Sequence, residues 1–121
     1  MKTEISNTKR FVFDVEVLQN DFVTIDRKLP LDAKCVTGVY FSIPHTAQLK
    51  GNVSLRFSEG TSNPLLFQVV RTIGTKRKKG KYIPVCEPVS DSSTVQGYYN
   101  DLSGDTFTAY NLKIYIEYIP R

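Results

Sequence analysis

The 121-residue sequence has no tryptophan, one histidine, one methionine and two cysteines. Each shortage excludes something. Without tryptophan, a sugar-binding surface lacks its best π-face. A single histidine, His45, stands in a loop after Pro44, and nothing near it marks an activated nucleophile with an orienting group. It reads as an ordinary loop residue. Two cysteines cannot build a disulfide framework, and Cys35 and Cys86 have no further ligand-type residues at metal-site spacing. They are expected as reduced core thiols. No catalytic signature is present, so an enzyme is not expected, and no cofactor or metal site is expected.

Long apolar runs are missing too. None approaches the ~20 residues that span a bilayer, so no membrane span is expected. The start, "MKTEISNTKR", has no apolar centre and does not read as a secretory signal. Residues 1–8 are expected to form a flexible N-terminal arm on one β-sandwich domain covering residues 1–121.

Acid is absent over a whole stretch. Residues 60–86 contain no Asp or Glu but hold Arg71, Lys76, Arg77, Lys78, Lys79 and Lys81, a local charge of +6. The whole chain carries 16 basic and 12 acidic residues. The remainder therefore has ten basic against twelve acidic residues, or −2. The charge is concentrated in a basic protrusion on a slightly acidic body, which favours a located contact over diffuse attraction.

What is present in quantity is strand-forming sequence. Seven Tyr and seven Phe accompany many Val, Ile and Thr, types that fit a pleated, half-buried surface. Alternation is clearest in "RFVFDVEVL" (Arg10–Leu18), "NVSLRFS" (Asn52–Ser58) and "YNLKIYIEYI" (Tyr110–Ile119). There Phe13, Leu55, Phe57, Leu112, Ile114 and Ile116 fall on core faces. In "KCVTGVYFSI", Cys35, Val39, Phe41 and Ile43 are in phase, and Gly38 permits a bulge. "LLFQVVRTI" is almost wholly apolar and reads as buried on both faces. "FVTIDRK", "KYIPVCE" and "STVQGYY" are shorter, with Pro84 marking an edge or a bulge. Eight antiparallel strands separated by turn-rich breaks predict an all-β, eight-stranded sandwich of jelly-roll topology. A seven-stranded immunoglobulin-like sandwich is the alternative.

The stretch "CVTGVYFSIPHTAQLKGNVSLRFSEGTSNPLL" and the later "GYYNDLS…YNLKIYIEY" resemble small single jelly-roll virion proteins of bacterial viruses, of the capsid, penton or decoration type. Those carry a "TGIxF" strand, a loop, a "GxxSLRI" strand and a turn. The resemblance covers residues 35–118 and implies a viral structural protein assembled in the host cytoplasm. Its partners would be other virion proteins, copies of itself in a trimer or pentamer, and packaged nucleic acid. It also implies sheets of strands 1, 8, 3, 6 and 2, 7, 4, 5, with the basic loop near His45, Lys50, Asp101 and Asp105. A carbohydrate- or nucleic-acid-binding sandwich module is the alternative function.

Candidate contact residues are Lys76, Arg77, Lys78, Lys79 and Lys81. The loop can be a solvated hairpin tip, a phosphate contact acting by counterion release, or a contact for carboxylates of a neighbouring subunit. Only Tyr82 flanks it, so aromatic support for single-stranded nucleic acid is thin. "NDLSGD" is an incomplete calcium-loop pattern that reads more simply as a turn. Tyr98, Tyr99 and Tyr110 could form a sugar-stacking platform, or could border the core.

Overall fold

A computed structural model describes residues 8–18, 21–43, 49–57, 64–71, 82–90, 93–103 and 109–121, with only the backbone of residues 69–71. Eight strands follow in chain order: β1 (Lys9–Leu18), β2 (Phe22–Lys28), β3 (Ala33–Ser42), β4 (Leu49–Arg56), β5 (Leu65–Arg71), β6 (Ile83–Pro88), β7 (Thr94–Asp101) and β8 (Ala109–Pro120). No helix occurs among the described residues. The strands form two four-stranded antiparallel sheets, ordered β1-β8-β3-β6 and β2-β7-β4-β5.

Alternation puts the core between the sheets. From the first sheet come Phe13, Val15 and Val17 of β1, with their cross-strand partners Ile114, Leu112 and Tyr110 of β8. The second sheet supplies Ile25, Leu49, Val53, Leu55, Val95 and Tyr99. Phe57, just beyond β4, is fully enclosed. The rings of Phe41 on β3 and Phe67 on β5 meet across the sheets at 5.2 Å. Phe41 itself is half-buried, as is Ile43, whereas Phe13, Leu55, Phe57, Leu112, Ile114 and Ile116 are buried.

Two expectations from the sequence need correction. In β3 the pairing slips between Val36 and Gly38 against both β6 and β8. This bulge lets Val36 and Val39, three positions apart, both reach the core. It also breaks the phase drawn through Cys35, which is only half-buried. The second correction is β5, which is an edge strand and is not buried on both faces. Leu66 is 74% exposed, and Leu65 and Phe67 are half-buried. Nothing among the described residues packs on the outer face of this sheet, so apolar composition alone cannot bury both faces of the strand. Of the edge or bulge expected at Pro84, the structure has an edge: β6 pairs only with β3 and carries Pro84 and Pro88. These prolines cannot donate to a further strand.

Candidate functional site

The basic loop residues Lys76, Arg77, Lys78, Lys79 and Lys81 lie outside the described residues, as do His45, Asp105 and residues 1–7 of the arm expected over 1–8. The segments from which these loops leave are described. Asp101 N–H donates to Asp21 O at 2.9 Å, and Leu102 N–H donates to Lys50 O at 2.9 Å. Lys50 N–H donates to Ser103 Oγ at 2.9 Å. Leu49 pairs with Arg71, the last residue of β5. The start of β2, the start of β4 and the ends of β5 and β7 therefore converge at one end. This brings Lys50 and Asp101 together.

Asp101 is not an outward carboxylate there. It is 4% exposed. Its Oδ1 accepts from Tyr110 O–H and from Ser103 Oγ–H, each at 2.8 Å. The hydroxyls of Tyr99 and Tyr110 are 2.6 Å apart. A phenol has one proton, and Tyr110 gives its proton to Asp101, so Tyr99 donates to Tyr110. The chain of bonds joins β7 of one sheet to β8 of the other. Burial pushes the Tyr99 phenol up to about 12 and raises Tyr110 further, so both stay protonated at neutral pH. A Cβ on Gly51 would collide with the Tyr99 hydroxyl and ring. Glycine at that position is what lets Tyr99 reach its partner. Among the described residues no group of acidic, histidine or cysteine side chains is arranged to hold a metal ion.

The three tyrosines proposed as one platform are separated. Tyr99 and Tyr110 are in the core. Tyr98 faces outward from β7, with Phe22 of β2 stacked on it at 4.7 Å and 22°. Phe22 is 57% exposed. Tyr98 separates two grooves on this outer face. One, of about 350 Å³, is lined by Asn52, Val53, Leu66, Phe67, Gln68 and Tyr98. The other, of about 240 Å³, is lined by Ser54, Arg56, Pro64, Gln96, Gly97 and Tyr98. The Arg56 Nε atom is buried without a hydrogen-bond partner.

The outer face of the first sheet carries a different aromatic group. Tyr40 lies 5.8 Å from Tyr82 and 5.4 Å from Tyr115. The Arg10 guanidinium sits 5.5 Å over the Tyr82 ring. Thr37 Oγ1 lies 3.2 Å from Glu117 Oε1, to which it donates. Sequence order leaves Tyr82 alone beside the basic run, whereas strand pairing brings Tyr40 and Tyr115 to it.

Cys35 and Cys86 are unbridged, and Cys86 is exposed. The expectation of two core thiols is thus corrected, because β6 is an edge strand whose outer face meets water. Burial, and then the neighbouring Cys86, raise the Cys35 thiol and disfavour its reactive thiolate form. No helix among the described residues is long and apolar enough to cross a membrane. No protein-family model, curated protein or solved structure matches this chain.

Proposed function

We propose that the chain is a jelly-roll structural subunit of a bacterial-virus particle, acting as a capsid vertex, decoration or assembly component. The observation that carries this reading is the strand order. The pairings β1-β8-β3-β6 and β2-β7-β4-β5 coincide with those expected when eight strands fold through two Greek keys. The sequence rhythm of residues 35–118 supports the same family. A fold hosts many functions, so the located charge supplies the functional part of the argument. Five cations stand between Lys76 and Lys81, in a stretch with no Asp or Glu from residue 60 to residue 86, and Asp101, at the end of the sandwich where β5 finishes, is engaged with Tyr110 and Ser103. Their counter-charge comes from outside the domain, either from acidic groups of another virion subunit or from packaged nucleic acid.

Native mass spectrometry of the full chain, alone and with nucleic acid, tests the reading. A stable trimer or pentamer is expected. A chain that stays monomeric under all these conditions overturns it. Replacing Lys76, Arg77, Lys78 and Lys79 with Ser should leave stability within about ±0.5 kcal/mol, as for most exposed substitutions. It should weaken assembly or nucleic-acid retention, and the parent's interaction should fade as salt rises.

A further inference from the structure

We propose that the outer face of the β2-β7-β4-β5 sheet binds a neutral oligosaccharide, with sugar rings seated in the two grooves on either side of Tyr98. Strand register assembles the face. Phe22 pairs with Asn100, Asn100 with Asn52, and Asn52 with Gln68, so one row crosses all four strands. In the next row Tyr98 stands between Thr24 and Ser54, and Leu66 closes the end.

These side chains suit a sugar in two respects. Each amide offers donors and an acceptor side by side, which matches adjacent hydroxyl groups and involves no charge that must be stripped of water. The Tyr98 and Phe22 rings supply apolar surface for the C–H face of a pyranose. Phe22 and Leu66 are 57% and 74% exposed, so apolar surface already borders the polar rows.

The grooves add shape. Ligand sites range from roughly 300 to 1,000 Å³. The larger groove, about 350 Å³, reaches this range alone. The smaller, about 240 Å³, extends it past Tyr98 and suits a chain of at least two rings. Arg56 lines the smaller groove, and its head group is not tied to any acceptor through Nε. A polyanion is disfavoured here, since among the described residues Arg56 is the only charged side chain lining either groove.

The inference needs only this sheet and does not depend on the virion reading, which is tested separately by oligomeric state. The test is affinity electrophoresis of the full chain through gels containing starch, β-1,3-glucan, mannan, galactan or soluble N-acetylglucosamine polymer. Calorimetry then follows with an oligosaccharide of the retaining glycan. At least one neutral glycan should retard the protein, and added salt should leave the retardation unchanged. Tyr98→Ala should lower the association constant by about tenfold or more, the scale of losing one aromatic contact. Gln68→Ala, a change at an exposed position that leaves the fold intact, should lower it several-fold. Tyr115→Ala, on the opposite sheet, should leave it unchanged. The proposal is overturned if no glycan retards the protein, or if Gln68→Ala and Tyr98→Ala bind as the parent does. It is also overturned if only acidic polysaccharide is bound in a salt-sensitive way, or if Leu66→Ser abolishes self-association while glycans have no effect.

Discussion

The two sheets turn contrasting surfaces to water. On the β1-β8-β3-β6 face, opposite charges stand in register: Arg10 pairs with Glu117 and Asp14 with Lys113. Tyr40 packs between Tyr82 and Tyr115, Arg10 covers Tyr82, and Thr37 bonds to Glu117. The side chains there are largely one another's partners. On the β2-β7-β4-β5 face the central rows are uncharged, Phe22 and Leu66 stand out in water, and Arg56 Nε has no acceptor. Both faces have the same alternating backbone. The first spends its side chains on cross-strand pairs, which stabilise a sheet and fix its register. The second stacks Phe22 on Tyr98 and sets uncharged amides, Asn52, Asn100 and Gln68, in one row beside them. Aromatic residues alone therefore do not distinguish the faces, since rings pack on one another on both; what differs is the polar setting, paired opposite charges on the first and uncharged rows on the second.

The largest expected effect breaks one face and spares the other. A Cβ on Gly97 of β7 would overlap the backbone carbonyl of Ser54 on β4, at a φ of +157°. Backbone cannot swing aside as a side chain can, so β7 and β4 must separate. Gly97→Ala should cost roughly 2–4 kcal/mol in urea denaturation, as overpacking combined with an unsuitable backbone conformation does. Native-state hydrogen exchange should show β7–β4 amides losing protection while those of β1–β8 keep theirs. A variant as stable as the parent would mean that the two strands are not held this closely.

The next effect lies where the two sheets are joined. Tyr99 on β7 and Tyr110 on β8 bury phenols that ionise near 10 when exposed, and burial raises both. Between about pH 10 and pH 12, the value for Tyr99, the unfolded chain releases protons that the native state keeps. The native state then binds more protons than the unfolded one, so stability falls as pH rises. It is fully present below pH 10. Tyr99→Phe should make this alkaline decline shallower, because Phe has no proton to lose. An unchanged slope in denaturation curves across this window would place the phenols in contact with water.

Legibility from sequence followed the range of the interactions. In β1, β4 and β8 the alternation is local, and Phe13, Leu55, Leu112, Ile114 and Ile116 are buried as their spacing indicates. In β3 the phase held for Val39, Phe41 and Ile43 but failed at Cys35, because the extra residue at the bulge puts the two sides of it out of step and no local pattern announces which residue is extra. Composition failed in β5 because apolar content does not report whether a strand lies at the centre or the edge of its sheet. Asp101 sits in a turn-like "NDLSGD", where burial is not expected, and its role depends on Tyr110 from another strand. The close approach of the Tyr99 ring to Gly51 has no local signal either, since the two residues come from different strands. The second sheet's face was the least legible. Phe22, Asn100, Asn52 and Gln68 come from four strands, and only long-range register puts them in one row.

The smallest effects sharpen the contrast between faces, since stability and binding should respond in opposite ways. Tyr115→Ala removes a ring that packs on Tyr40. It should cost about 0.5–1.5 kcal/mol from the aromatic pair, in addition to the lost burial. Gln68→Ala removes an exposed amide and should change stability by no more than about 0.5 kcal/mol in either direction. Glycan retardation should show the reverse order, with Gln68→Ala weakened and Tyr115→Ala unchanged. Thermal melts and affinity gels on the same two variants are enough to read both. If Gln68→Ala were the more destabilised variant, its amide would be satisfied within the protein, and the second face would be as self-contained as the first. If Tyr115→Ala lost stability and glycan retention together, binding would depend on the integrity of the whole sandwich and would not belong to one face.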